Sequence, residues 1–224
     1  MRLPAERRNT PNMKKRNICI CLAVSALVGA TAVAAVAAEP IMLALTEDAA
    51  MQEQPTVNEN LLVLRGNWAD QSQYEAQVTV NGKNAHSGEV RWSVDADSYK
   101  NEFGFTGSLN GNDIVSVDEK TGKITAKNSG IVRVLCESLE DPEANTSVIV
   151  VVPGDVTKDG VVDEDDVNWV VDVATGEAEI PLEDKSDPST WFLKDLANLS
   201  DDTDDIDLDD VNYLYELVAS ISEI

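Results

Sequence analysis

Between Asp155 and Asp166, oxygen-bearing side chains recur at a spacing that can wrap a hard cation. Asp155, Thr157, Asp159, Asp163 and Asp166 fall at positions 1, 3, 5, 9 and 12 of one loop, and Gly160 occupies position 6, where such a loop turns sharply. With the Val161 carbonyl at position 7, this is a donor set for Ca2+, Asp163 acting through water. The closing Asp166-Val167-Asn168-Trp169 returns as Asp210-Val211-Asn212-Tyr213 after a second acidic run, so a loop and the helix it opens are duplicated. In the second copy, counting straight back puts Leu199 at position 1, where it has no side-chain donor. One inserted residue restores the pattern, with Asn198, Ser200 and Asp202 at positions 1, 3 and 5. Thr203 then replaces the turn glycine, the Asp205 carbonyl follows, and Asp207 and Asp210 take positions 9 and 12. Two readings of that copy stay open: a weaker, distorted calcium site, or an acidic loop that no longer holds the ion.

The charge distribution points the same way. The chain of 224 residues has a formal charge of -24, and residues 154–224 carry 22 acids against Lys158, Lys185 and Lys194. Self-repulsion on that scale opposes compaction unless cations neutralise it. It also argues against nucleic-acid binding, which needs Lys and Arg on the folded part.

The helices that follow the loops should pair. Val167, Val170, Val171 and Ala174 make one apolar stripe and Val211, Leu214, Tyr215 and Val218 another, suited to packing the helices together. Second stripes, Trp169 with Val173 and Tyr213 with Leu217, are candidate partner contacts, because Trp and Tyr anchor many interfaces. Burial of Trp169 and Tyr213 by residues 176–197 is the competing reading. That intervening segment contains Trp191-Phe192-Leu193, expected to pack onto the helices.

Upstream the pattern changes to short apolar or alternating runs between turn residues. Seven segments read as strands: 61–64, 77–80, 90–94, 114–117, 122–126, 131–136 and 147–152, with Asn81-Gly82 and Thr121-Gly122 as turns. Val132, Val134 and Cys136 alternate with Ile131, Arg133 and Leu135, which turns one face of that strand inward, and Trp92 is a core candidate. Seven strands over residues 58–153 suit a β-sandwich. Residues 39–57 show no sustained period and read as a linker. Between strands, Asp97 to Gly111 holds Tyr99, Phe103 and Phe105 among glycines, and Trp68 lies apart. These aromatics either form a sugar-stacking platform or cover the end of the sandwich. Only about three residues separate Val152 from Asp155, so the strand part and the loop part should pack together.

At the N-terminus Lys14-Lys15-Arg16 precedes Ile18–Ala38, 21 uncharged residues ending in Ala-rich sequence, which read as a cleaved secretory signal over residues 1–38, with Met13 an alternative start. An uncleaved membrane anchor is the alternative. Cys19 and Cys21 lie in that segment, leaving Cys136 alone in the mature chain and excluding a disulfide framework. The one histidine, His86, reads as ordinary surface.

Two resemblances join these observations. The stretch Val90–Val94, Ile114–Asp118 and Thr121–Val134 resembles the bacterial immunoglobulin-like domain of the group 2 type, with the insertion 97–111 as a departure from that family's length. Gly154-Asp155-Val156, Asp159-Gly160, Val162 and Asp166, with the repeat, resemble a dockerin over residues 154 to about 220. An ordinary EF-hand is disfavoured because strand-like sequence precedes Asp155, where that motif needs a helix. The departures are a long segment between the helices, the irregular second loop, and Glu164-Asp165 and Leu208-Asp209 where many clostridial dockerins carry Ser and Thr. Together the resemblances imply a multi-domain protein: an all-β immunoglobulin-like sandwich followed by a small α-helical dockerin (154–224) with two calcium loop-helix repeats. They further imply a secreted, non-catalytic adaptor, monomeric before docking and held at the cell surface through a scaffold. Its dockerin would bind a cohesin module with Ca2+, as in cellulosome-type assembly for polysaccharide degradation. Paired carboxylates abound, but charge-dense loops do not raise a carboxyl pKa as a glycosidase acid requires. The alternative class is a cell-surface adhesion or carbohydrate-binding protein that uses Trp68, Tyr99, Phe103 and Phe105, with the calcium unit as structural support.

Overall fold

The computed structural model describes residues 43–45, 51–54, 59–65, 73–75, 78–80, 83–84, 89–141, 143–200 and 205–222. Trp68, His86, Asp202 and the whole of 1–38 lie outside the described residues.

The strand-forming part contains β1 (Leu43–Leu45), β2 (Met51–Gln54), β3 (Glu59–Val63), β4 (Gln73–Glu75), β5 (Val78–Val80), β6 (Lys83–Asn84), β7 (Val90–Asp95), β8 (Val115–Val117), β9 (Lys123–Ala126), β10 (Gly130–Ser138) and β11 (Asn145–Val152). All seven segments expected to be extended carry a strand. The stretch 39–57, read as a linker, instead holds β1 and β2, which pair with β5 and β3. The backbone of an open sheet edge recruits a strand without needing a period-2 side-chain pattern.

A five-stranded sheet in the order β2-β3-β11-β10-β7 forms the body, flanked by three-stranded sheets β1-β5-β6 and β4-β9-β8. Its central strand β11 pairs antiparallel with β10 and parallel with β3. Flanked on both edges, β11 is buried from Val148 through Val152, as a run of β-branched residues allows. On β10, Val132, Val134 and Cys136 are buried while Arg133 and Leu135 are partly exposed, and Trp92 of β7 joins the core.

Two short helices, α1 (Ser98–Asn101) and α2 (Gly111–Ile114), bracket the glycine-rich insertion between β7 and β8. After β11 come α3 (Glu164–Thr175), α4 (Leu193–Ala197) and α5 (Leu208–Ser222), with α3 packed on α5. The fold therefore mixes sheets with helices, the helices being concentrated after β11. Contacts gather Glu39–Ile224 into one unit. Among the described residues, no helix is long and apolar enough to cross a membrane.

Helix α3 starts where its sequence tells it to. Asp163 is the N-cap, its side chain accepting the Asp165 N–H, while Asp166 Oδ2 accepts the Asp163 N–H in return, at 2.9 and 3.0 Å. Glu164, Asp165 and Asp166 crowd the first turn, where the helix dipole favours anions. Gly176, at φ 76, ends the helix in the left-handed conformation.

Candidate functional site: two acidic loops on a β-scaffold

β11 delivers the chain into the first loop through a fixed joint. Ser129 Oγ accepts the Asp155 N–H at 2.6 Å and donates to the Val152 carbonyl at 2.9 Å, while the Gly154 N–H donates to the Leu196 carbonyl at 2.9 Å. Gly154 has φ +134, and a β-carbon there would come within 3.2 Å of Ser129 Oγ.

Within the loop the first and last acidic positions turn inward. Asp155 and Asp166 are buried; Thr157, Asp159 and Val161 are exposed, and Asp163 is half-buried. Asp155 Oδ1 accepts the Asp159 N–H at 3.2 Å and its Oδ2 the Gly160 N–H at 2.8 Å. Asp166 Oδ1 accepts the Thr157 N–H at 3.0 Å, so the closing aspartate ties the loop's third residue to the helix start.

The second loop repeats this wiring. Asp210 Oδ1 accepts the Leu199 and Ser200 N–H groups, both at 2.8 Å, and its Oδ2 accepts the Asp207 N–H at 2.9 Å. Asp207 Oδ1 accepts the Asp209 N–H at 2.8 Å, reproducing the cap of α3. Ser200 bonds to Asp210 as Thr157 bonds to Asp166, which follows the register with one inserted residue. Asn198, Ser200 and Asp210 are buried, Asp207 is half-buried and Asp205 exposed.

Because each closing aspartate points inward, it sets the inner face of its helix. The buried positions on α5 are Asp210, Leu214 and Leu217, spaced i, i+4, i+7, and on α3 they are Asp166 and Val170. On α3 the buried Val170 belongs to the expected stripe, while on α5 the inner face is rotated from the one expected. Leu217, expected as a partner contact, is only 2% exposed and belongs to the core, whereas Tyr215, expected between the helices, is 67% exposed. Val173 and Trp169 are half-buried, and Tyr213 is 48% exposed. Tyr215 borders a groove of about 340 Å³ whose other lining includes Glu164, Asn168 and Val218.

The sequence did not reveal how tightly the β-part grips the first loop. Tyr99 and Phe103 are fully buried and Phe105 is 3% exposed, so these rings cannot present a sugar-stacking platform. Tyr99 stacks on Phe105 with centroids 4.3 Å apart, and Phe103 meets Phe192 edge-on at 5.9 Å, so the insertion packs against the segment leading into α4. Lys158, at the loop's fourth position with φ 58, is buried; its Nζ donates to the carbonyls of Phe103 (3.1 Å), Pro188 (2.8 Å) and Trp191 (2.8 Å). Its carbonyl accepts the Thr106 N–H at 2.9 Å. Burial pulls the ammonium down to about 8. These contacts join residues 30 to 55 positions apart, beyond the reach of any local pattern.

Calcium fits the first loop by donor chemistry. Asp155 is pushed up to about 7, first by burial and then by the charge of Asp166, and Asp166 is itself raised by burial. Lys158 does not neutralise this pair by direct contact, since its ammonium is directed to three carbonyls. Two buried carboxylates, the Thr157 hydroxyl and the rim carboxylate of Asp159 are hard oxygen donors of the type calcium takes. Among the described residues, no group of three or more His, Cys, Asp or Glu side chains is already gathered as a metal cluster, so an ion would draw these donors inward.

No family model matches the chain, and no curated protein does. Among solved structures it is similar to the protocadherin gamma B2 extracellular cadherin domains 3–6, at 16% identity over 43% of this chain, with a TM-score of 0.21. The chain spans about 20% of the length of that structure, and a likeness at this level carries no argument about fold or function.

Proposed function

We propose that the chain is a secreted, non-catalytic adaptor whose residues 154–224 form a dockerin-like module that binds a cohesin with calcium, the strand part being an immunoglobulin-like support. The observation that carries this reading is the duplicated closure, in which Asp166 and Asp210 gather the N–H groups of their loop and of their helix cap in the same way. A bound calcium ion supplies positive charge that draws the loop oxygens together. The chain's own residues do the rest: Asp155 and Asp166 hold the first loop at its two ends, and the capping pairs fix where α3 and α5 begin. Tyr213 and Tyr215, exposed on α5, with half-buried Trp169 on α3, offer aromatic anchors for the partner. Export rests on Lys14–Arg16 and the apolar run after it.

The reading is tested by presenting the chain to a panel of immobilised cohesins with calcium or with a chelator. Capture by at least one cohesin that is lost with chelator is the expected result. Equal retention with and without calcium, or none on a panel that captures other dockerins, overturns it.

A further inference from the structure

One buried group faces the first loop and answers to nothing in it. Tyr99 is fully buried, and its Oη is the buried side-chain polar atom that, among the described residues, has no hydrogen-bond partner. A buried hydroxyl left unpaired is costly, so such an atom calls for an explanation. Its direction supplies one. A β-carbon placed on Gly160, the turn residue of the loop, would lie 3.3 Å from the Tyr99 Oη and 2.9 Å from the Gly107 Cα. A β-carbon on Gly107 would in turn lie 2.4 Å from the Asp159 carbonyl oxygen. The backbones of insertion and loop therefore touch through two glycines, and the phenol enters beside that contact.

The ring is held from several sides. It stacks on Phe105 at 4.3 Å, and a β-carbon on Gly130 would come within 2.8 Å of its Cε2. The carboxylates of Asp155 and Asp159 raise the phenol's pKa further, after burial itself, so the hydroxyl is a donor at neutral pH. In this structure Asp155 already accepts from the Asp159 and Gly160 N–H groups.

We propose that Tyr99, carried by the strand part, is a positioning residue for the cation in the first loop: its hydroxyl donates to an oxygen that holds the ion. This deepens the proposed function and rests on its calcium loop. It makes the strand part a contributor to the metal site, so that cation binding and the seating of residues 97–111 are one event. The second loop has no such hydroxyl assigned to it among the described residues.

The test is Tyr99→Phe in the full chain, a change that keeps the ring and its stack. With chelator present, removing an unpaired buried hydroxyl leaves the Tm unchanged or raises it. With calcium present, the affinity of the tighter site measured by calorimetry falls about ten-fold, as expected for a lost hydrogen bond to a charged centre. That opposition of sign distinguishes the role from simple packing. A lower Tm in chelator together with unaltered calcium affinity overturns the inference, as does unaltered affinity alone. If the unmodified chain takes up no calcium, the calcium reading fails and the inference with it; if that chain binds and the variant binds equally, only the inference fails.

Discussion

The two acidic loops share a closing device and differ at their first position. In the first loop Asp155 places a buried carboxyl opposite Asp166; burial, and then the charge of Asp166, raise the cost of ionising Asp155. In the second, the matching residue is Asn198, a neutral amide whose Oδ1 accepts a hydrogen bond from Arg65 Nε at 3.2 Å. Arg65 follows β3, so the scaffold brings a guanidinium to the second loop, while at the first it brings a phenol and two glycines. The lesson is that a duplicated unit can keep its hydrogen-bond frame while its electrostatics diverge. Among the described residues, it is the first loop that is built around a buried carboxylate pair that a divalent ion would relieve.

The strongest way to break this comparison is to remove the closing carboxylates in turn. Asp166→Ala leaves the Thr157 and Asp163 N–H groups without an acceptor and should destabilise the chelated protein by about 3 kcal/mol in denaturant titration. Asp210→Ala should cost a similar amount, having three N–H partners, yet should reduce calcium affinity less. The opposite ranking for calcium would reverse the assignment of the stronger site. Next in size is Gly107→Ala, whose β-carbon would enter the Asp159-Gly160 backbone; a loss of about 2 kcal/mol is expected, with weakened calcium binding confined to the first loop. Smaller again, Asn198→Asp adds a carboxylate to the second loop and should tighten its calcium binding by on the order of 1 kcal/mol, readable as a several-fold change in Kd.

A separate effect is a dependence on pH. The Asp155 carboxyl is raised to about 7 in the folded protein against an ordinary value of 3.8. A raised folded pKa means the native state binds the proton more tightly. Its stabilising contribution is therefore complete below about 4 and is lost as pH rises through about 7. In chelator the Asp155 contribution should thus favour stability in mildly acidic buffer, and Asp155→Asn should flatten that slope in thermal unfolding between about pH 4 and 7. Calcium should oppose the trend, since the ion favours the ionised carboxylate.

Much of the frame was legible because it is written in local spacing. The strands on β10 and β11 announce themselves through β-branched residues at period two or in a continuous run. The starts of α3 and α5 follow from aspartates that cap their own helices. What was not legible depended on distant chain segments. Tyr99, Phe103 and Phe105 look the same in sequence whether they face water or the first loop; only the approach of Gly107 to Gly160 decides for burial. Lys158 reads as a solvated charge among acids until three carbonyls, two of them from residues 188–191, converge on it. The inner face of α5 differs from the apolar stripe for a simpler reason, since a polar residue helps to set it. Asp166 and Asp210 are polar but point inward; on α3 Val170 stays inside as expected, while on α5 the stripe turns from Tyr215 to Leu217.

The central claim, a duplicated cation unit with unequal halves, is tested most directly by calcium titration calorimetry on the unmodified chain, Asp166→Asn and Asp210→Asn. The account predicts two binding events of unequal affinity, the tighter abolished by the first substitution and the weaker by the second. Absence of binding, or binding that neither substitution alters, would contradict it.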